Sequence, residues 1–249
     1  ISNFKLDEGS GTTIADSSGN GNAPTLTNTN GGNVWSNNTY NNRGSSMYFD
    51  GLTYLAIPNI GAQTLAPRGF SYSAWINQQQ YPPASPAGSV SVIMGKNTTT
   101  FGINSAANGG MLYFTVLYGS QVGNINSQSW MNGTKAISLN EWHQVTLTVD
   151  ETNRAKIYID GKLDKDSGGP IFFNFVPGKD VRIGSLLNNL DNADGNNGYA
   201  WRSGTQWTGF VGYIDDVKIY NYTLTTSQIE KIYAEAISEK NLANDNVPE

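Results

Sequence analysis

Cysteine is absent from this chain of 249 residues, and histidine occurs once, as His143. The sequence therefore offers no Cys–His pair and at most one histidine ligand for a zinc ion, so these two kinds of catalytic site are disfavoured. Charged residues make up only 14% of the chain, and the net charge is −5. A nucleic-acid partner, which needs clustered Lys and Arg against its phosphates, is disfavoured as well.

Long hydrophobic runs are also missing. No apolar stretch approaches the roughly 20 residues that a membrane-spanning helix requires, and no basic-then-apolar leader opens the chain. We therefore expect no membrane insertion, and we expect any signal peptide to have been removed. The lack of cysteine leaves the compartment open, because it suits a reducing cytosol and a secreted bacterial protein equally well.

The sequence is rich in signals for β-structure. Short segments of Val, Ile, Tyr, Phe and Thr alternate with clusters of Gly, Asn, Ser and Pro, which is typical of antiparallel strands and turns. Phe70, Tyr72 and Ile76 alternate with polar residues, so one face of their strand is predicted to pack on a core. The predicted fold class is all-β, a two-sheet antiparallel β-sandwich. The predicted strands are residues 46–50, 53–57, 70–77, 89–94, 111–118, 142–149, 156–160, 181–183 and 210–220.

One segment near the end of the chain has helical features. Thr225 and Gln228 have the spacing of a capping box, and apolar residues follow at helical spacing through Ile237. This pattern predicts one C-terminal helix that packs on the sandwich. Residues 1–240 are therefore interpreted as one domain, and the polar, aperiodic residues 241–249 as a linker or tail.

Two local signals concern turns and irregular strands. The dipeptide Asp160-Gly161 after an alternating strand predicts a tight hairpin, because Gly tolerates positive φ at little steric cost. Strict alternation would place Ile214 on the opposite face from Val217, so a bulge near Asp215 is predicted.

A search for catalytic groups finds no pair of carboxylates at the spacing of a glucanase. A retaining glycosidase needs two carboxyl groups about 5 Å apart across the glycosidic bond. Here the paired acidic residues are adjacent in sequence, so in a regular strand they point to opposite faces. His143 is expected to be structural because no other catalytic group accompanies it. The adjacent acidic pairs are Asp7-Glu8, Asp150-Glu151 and Asp215-Asp216.

Aromatic residues in polar stretches are the candidates for ligand binding. A sugar ring stacks its apolar face on a flat aromatic side chain, while amide and charged groups pair with its hydroxyls. Residues 199–207 (YAWRSGTQW) form the densest aromatic cluster in a predicted loop, and residues 124–130 form a second predicted loop that ends at Trp130. The alternative for any single tryptophan is that it anchors a loop on the sandwich. The predicted ligand-binding residues are Trp130, Tyr199, Trp201, Arg202, Gln206 and Trp207.

Several motifs follow one another along most of the chain. They are FKLDEGSG at 4–11, DSSGNGN at 16–22, MYFDG at 47–51, FSYSAWI at 70–76, EWHQV at 141–145, IYIDGK at 157–162, RIG at 182–184 and GFVGYIDDVKIYN at 209–221. Together they resemble the laminin-G-like family of concanavalin A-like lectin and glucanase jelly rolls in bacterial extracellular proteins. The resemblance implies a jelly-roll fold in a larger extracellular or cell-surface protein, with Trp75 and Trp142 in packing positions. Function stays open, because this scaffold carries lectins, adhesion domains, glycoside hydrolases and accessory modules.

The same resemblance implies a structural calcium ion that clamps the two ends of the chain. The implied metal ligands are Asp16, Asn20, Asp50 and Asp215. Residues 16–22 supply side-chain oxygens of the type that calcium prefers. The alternative is that Asp16 closes an Asx turn and needs no metal.

These features predict a non-catalytic carbohydrate-binding module of a secreted or surface-attached bacterial protein, with a polysaccharide or glycan as its partner. Two alternatives stay open: a protein-binding adhesion domain, and a hydrolase or lyase whose carboxylates are dispersed in sequence. The polar composition favours sugar over protein, because protein interfaces usually have a more apolar centre.

Overall fold

A computed structural model of the chain describes residues 2–58, 69–83, 89–96, 99–117, 128–171, 180–185 and 207–245. Nearly all regular structure in these ranges is β, apart from one 3-10 turn (Ala106–Asn108) and one α-helix. The elements are β1 (Ser2–Phe4), β2 (Thr25–Thr27), β3 (Trp35–Ser36), β4 (Ser46–Asp50), β5 (Tyr54–Ile57), β6 (Phe70–Gln78), β7 (Val90–Lys96), β8 (Thr99–Asn104), β9 (Met111–Leu117), β10 (Gln128–Ala136), β11 (Trp142–Val149), β12 (Arg154–Ile159), β13 (Lys162–Pro170), β14 (Val181–Ile183), β15 (Trp207–Gly209), β16 (Val211–Tyr220) and α1 (Thr226–Asp245).

The strands form two sheets that pack face to face. Sheet A has the order β13-β12-β11-β6-β16-β4-β3, with β1 also paired to β16. Sheet B has the order β10-β9-β8-β7-β14-β5-β2, with β15 also paired to β7. The pairs are antiparallel except for β15 with β7, which is parallel. The predicted two-sheet antiparallel sandwich is confirmed.

The core lies between the sheets and follows the predicted alternation. Phe70, Tyr72 and Ile76 of β6 are buried in one cluster with residues from both sheets. Trp75 points to the other face of sheet A, where it joins a separate cluster beneath α1. The nine predicted strands are all present within a few residues of their expected bounds. The strands that were not predicted are β1, β2, β3, β8, β10, β13 and β15, of which β10 and β13 lie at outer edges of the two sheets.

The C-terminal helix begins at the predicted capping box. The backbone N–H of Gln228 donates to Thr225 Oγ1 over 3.3 Å, and the backbone N–H of Thr225 donates to Gln228 Oε1 over 2.9 Å. The buried Ile229 packs with Tyr158 of β12. The helix continues to Asp245, into the segment that was predicted as a tail. Leu242 and Ala243 in this segment have high helix propensity, which favours continuation of the helix without a regular apolar period.

Both predicted irregularities occur. Asp160 and Gly161 have φ values of 51° and 75°, and they join β12 to β13 in a two-residue hairpin of the kind that requires positive φ. In β16 the register shifts between Asp215 and Lys218, and the bulge lets both Ile214 and Val217 reach the core.

Candidate functional site

A groove lies where the edge strand of sheet B, β10, approaches the edge strand of sheet A, β13. Its volume is about 610 Å³. Of its ten lining residues, only Lys165 carries a charge. The lining residues are Ser129, Trp130, Met131, Asn132, Gly133, Lys165, Ser167, Gly169, Pro170 and Ile171.

A side-chain bridge holds the two edge strands together beside the groove. Asp164 of β13 accepts hydrogen bonds from the backbone N–H and the hydroxyl of Thr134 on β10, over 2.8 and 2.6 Å. Gly133 allows this approach, because a Cβ atom at that position would lie 2.4 Å from Asp164 Oδ2. The bridge joins the edges without strand pairing, so the space next to it stays open.

Trp130 is the aromatic residue of the groove. Its neighbour Met131 lies opposite Phe114, and both are buried in the core, so Trp130 projects from the other face of β10. It is 60% exposed, although tryptophan is usually well buried. The prediction placed Trp130 in a loop, and this was wrong: it lies within β10, whose backbone fixes its position.

Two polar side chains of the groove, Asn132 and Ser167, form hydrogen bonds with other described residues. Asn132 accepts a bond from Asn104 Nδ2 at its Oδ1 atom over 3.2 Å, while its own amide nitrogen donates to no described residue. Ser167 Oγ donates to the carbonyl of Gly169 over 2.6 Å and accepts from Ala155 N. Its hydroxyl is therefore committed to the backbone of the hairpin.

Four of the six predicted ligand-binding residues lie outside the described residues: Tyr199, Trp201, Arg202 and Gln206. Trp207 is the first residue of β15, opposite Val90 of β7, and its side chain is also outside the described part. The convergence of this segment with Trp130 therefore stays a prediction.

The sequence analysis missed Asn132 and Lys165, because neither β10 nor β13 alternates apolar and polar residues. One signal for β13 was present. The Asp160-Gly161 turn sends the chain back beside β12, so the residues after it had to form a strand that carries Lys165.

The other described tryptophans take part in packing. Trp75 is 4% exposed and stacks on Tyr40 with ring centroids 4.2 Å apart. Trp142 is half-buried and meets Tyr40 edge-on at 6.3 Å. Trp35 is buried and donates its indole N–H to the carbonyl of Gly11 over 2.8 Å. Trp75 and Trp142 pack beneath α1 rather than between the sheets.

His143 is tied to the hairpin that follows β12. Its Nδ1 atom lies 2.9 Å from Asp160 Oδ2, and Asp160 Oδ1 accepts the backbone N–H of Gln144 over 2.9 Å. Asp160 is a turn residue with positive φ. These contacts connect His143 and β11 to the turn between β12 and β13.

The implied calcium ligands each have hydrogen-bond partners of their own. Asp16 accepts three backbone N–H groups, from Asn3, Ser18 and Asn22. Burial acts to raise the pKa of Asp16, but these bonds lower it overall. Asn20 is exposed and donates to Ser18 Oγ. The Asx turn at Asp16 is therefore present.

Asp50 and Asp215 differ in their surroundings. Asp50 accepts the backbone N–H groups of Leu52 and Thr53. Asp215 is 3% exposed, and burial, together with the carboxylates of Asp216 and Asp7, raises its pKa to about 9.

No described group of three or more His, Cys, Asp or Glu side chains has an arrangement that could hold a metal ion. The structure therefore does not gather the predicted ligands Asp16, Asp50 and Asp215 into one such group. Calcium binding stays a prediction.

Comparison with known proteins identifies the fold family. A sequence model of the concanavalin A-like lectin/glucanases superfamily matches residues 49–230. No curated protein matches the sequence at a significant level. Among the described residues, no helix is long and apolar enough to cross a membrane.

Similar solved structures include domain 4 of AbnA, an extracellular GH43 arabinanase from Geobacillus stearothermophilus, in complex with arabinotriose. It has a TM-score of 0.59 and 18% identity, over 93% of this chain and 97% of that one. A structure of botulinum neurotoxin type C, whose cell entry depends on two ganglioside molecules, has a TM-score of 0.61 and 17% identity, over 95% of this chain. The binding domain of botulinum neurotoxin DC with SialylT has a TM-score of 0.61 and 18% identity. The chain spans about half of both neurotoxin chains, at 51%. At these identities the likeness shows a shared fold.

Proposed function

This chain belongs to the concanavalin A-like lectin/glucanases superfamily, and we propose that it is a carbohydrate-binding module whose ligand lies in the groove between β10 and β13. The observation that carries the proposal is Trp130, which is 60% exposed on a regular strand and lines a groove of about 610 Å³. An aromatic face held by a strand is a preorganised platform for the apolar side of a sugar ring.

Polar groups beside Trp130 support the same proposal. Ser129, Asn132 and Lys165 line the groove with a hydroxyl, an amide and an ammonium group. Such groups recognise the hydroxyl and acidic substituents of a sugar. The superfamily includes lectins as well as glucanases, and similar folds occur in structures with arabinotriose and SialylT.

The module is proposed to be non-catalytic. Glycoside hydrolysis generally uses two carboxyl groups that flank the scissile bond, and no Asp or Glu is among the lining residues of the described groove. The test is the release of reducing or unsaturated sugars from plant, algal and microbial polysaccharides. Turnover that disappears when an Asp or Glu is neutralised would show that the chain is an enzyme.

The proposed setting is a secreted or surface-attached bacterial protein with further domains. One support is the similar domain of an extracellular arabinanase, which is a single part of a larger enzyme. Fractionation of the native source, with detection of the parent protein by antibody, tests this proposal. Recovery of the parent protein in the cytosol alone would refute it.

A structural calcium ion is proposed at Asp215. Of the implied ligands, Asp215 fits this role best, because a bound cation would offset the repulsion that its buried carboxyl experiences from Asp216 and Asp7. Asp16 and Asp50 accept three and two backbone N–H groups in their own turns, whereas Asp215 accepts one, from Asp216. Calcium should therefore raise the melting temperature of the wild type but not of Asp215→Asn. Identical melting curves in calcium and in chelator would exclude the site.

The test of the binding function is a glycan-array screen followed by affinity measurement with Trp130→Ala. Leu163→Ala is the matched control, since Leu163 is an exposed apolar side chain on β13, 48% exposed, that does not line the groove. Binding that is lost in the first variant and kept in the second supports the groove. Equal binding by both variants and the wild type places the ligand elsewhere.

A further inference from the structure

Lys165 occupies an unusual position in β13. It lies opposite Ile157 of β12, which is fully buried in the core, so Lys165 projects on the core side of sheet A. Because β13 is the last strand of this sheet, that side opens into the groove. A register shift between Ile157 and Tyr158 makes Asp164 the extra residue of a bulge, and Asp164 turns to Thr134 instead of its neighbour Lys165.

The carboxylates that flank Lys165 in sequence have their own partners. Asp166 accepts two bonds from the guanidinium of Arg154, over 2.6 and 2.8 Å, and this pairing lowers the pKa of Asp166. Asp164 accepts two bonds from Thr134. Lys165 itself is exposed and makes no ion pair or hydrogen bond with any described residue. The ammonium of Lys165 is therefore the charged group that the described lining of the groove leaves for a ligand.

The side chains around this charge offer a ligand more donors than acceptors. The amide oxygen of Asn132 already accepts from Asn104, and the hydroxyl of Ser167 is committed to Ala155 and Gly169. The groups left for a ligand are the ammonium of Lys165, the amide nitrogen of Asn132 and the hydroxyl of Ser129. This set donates more hydrogen bonds than it accepts, so it suits a ligand with an excess of acceptor oxygens.

We propose that the groove recognises an anionic glycan, one whose sugar units carry carboxylate or sulfate groups, with Lys165 pairing with the anionic group while a sugar ring stacks on Trp130. This inference rests on the proposed function, and it adds the class of ligand. The net charge of the chain is −5, so its overall field repels polyanions. Selective binding of an anionic glycan therefore depends on the local charge of the groove.

The test uses two matched pairs of polysaccharides, in which only the charged group differs. Polygalacturonate is compared with its methyl-esterified form, and a sulfated galactan with its desulfated form, by calorimetry at low and moderate salt. The wild type should bind the charged member of at least one pair about tenfold tighter than the neutral member. The pair that shows the preference distinguishes carboxylate from sulfate recognition.

Three variants test whether Lys165 is the source of the preference for the charged polysaccharide. Lys165→Gln should remove the preference and flatten the salt dependence, whereas Lys165→Arg should keep most of both. Lys162→Gln is the control, because Lys162 is exposed on the same strand but does not line the groove, and it should keep the preference. An equal loss in Lys162→Gln would mean a diffuse charge effect, which overturns the assignment to Lys165.

The outcomes separate this inference from the proposed function. If the neutral members bind as tightly as the charged ones, and Trp130→Ala weakens both, the groove binds sugar but the inference about charge is wrong. If neither charged polysaccharide binds while a neutral glycan from the array does, the inference is again wrong. If Trp130→Ala leaves every interaction unchanged, the proposed site itself is wrong.

Discussion

Two aromatic regions of this molecule differ in what covers them. On the outer face of sheet A, Trp75 is 4% exposed, stacked between Tyr40 and Tyr233 of α1. At the edge of the sandwich, Trp130 is 60% exposed, and the one α-helix of the described residues packs over Trp75 instead. The same residue type therefore contributes to folding in one place and is available to a ligand in the other. What decides between these roles is the element packed above each strand.

The largest expected effect tests the covered region, which is the outer face of sheet A around Trp75. Trp75→Ala removes a ring that is stacked on both sides, so it should lower the free energy of unfolding by about 3–5 kcal/mol. Chemical denaturation measures this loss. Glycan affinity per folded molecule should not change, because Trp75 does not line the groove. If Trp75→Ala has normal stability but weakened glycan binding, Trp75 contributes to binding and not to folding, which contradicts the role proposed for the covered region.

A buried carboxyl in the covered region should make stability depend on pH. Asp215 lies opposite Trp75 on the same face of sheet A, and its pKa in the folded chain is about 9, against 3.8 for the ordinary side chain. Between these values the folded state holds a proton that the unfolded state has released. Stability from this group is therefore greatest below pH 4 and falls as the pH rises towards 9.

Asp215→Asn should remove this dependence, since an amide cannot ionise. In chelator, the variant should melt a few degrees above the wild type at alkaline pH, and close to it in acid. Thermal melts across this pH range provide the measurement. A constant difference at all pH values would show that Asp215 does not titrate as described.

The sequence predicted the covered region better than the exposed one. The alternation in β6 and β11 identifies the faces that pack in the core, and Thr225 with Gln228 identifies the start of α1. These signals are local, because each comes from residues within one element. The groove depends on β10 and β13, whose side chains are mostly polar and which form by pairing with β9 and β12.

The ligand-binding residues were only partly predictable for the same reason. Trp130 was found because a tryptophan in a polar stretch is conspicuous. Lys165 was not, because its role depends on the pairing of Asp166 with Arg154 and of Asp164 with Thr134. Contacts between residues 12 and 30 positions apart leave no pattern in a local window of sequence.

The next effect in size tests the exposed region. Trp130→Ala removes the stacking platform, worth on the order of 1 kcal/mol or more, so glycan affinity should fall about tenfold. The melting temperature should stay within a few degrees of the wild type, because the ring is largely exposed. Calorimetry and thermal melts on one preparation test both statements. Unfolding of this variant would show that Trp130, like Trp75, is needed for folding, and the distinction between the two regions would be wrong.

The segment that contains Trp201 and Trp207 allows a comparable test of whether further aromatic residues contact the ligand. If its aromatic rings contact the same ligand, Trp201→Ala and Trp207→Ala should each weaken binding by up to about tenfold, with little change in stability. Combination with Trp130→Ala shows whether the sites are shared, because residues on one ligand give non-additive losses. Full binding by both single variants would exclude these two residues from the ligand site.

The smallest expected effect concerns α1, the helix that covers Trp75. Thr225 caps α1, and its hydroxyl accepts the N–H of Gln228. Thr225→Ala should therefore lower the free energy of unfolding by about 1 kcal/mol, while Thr225→Ser keeps the hydroxyl and most of the stability. Because α1 covers Trp75 and not Trp130, the alanine variant should increase the accessibility of Trp75 to a fluorescence quencher while glycan affinity stays unchanged. Reduced affinity in Thr225→Ala, with Thr225→Ser normal, would show that the helix and the groove are coupled and that the two regions do not act independently.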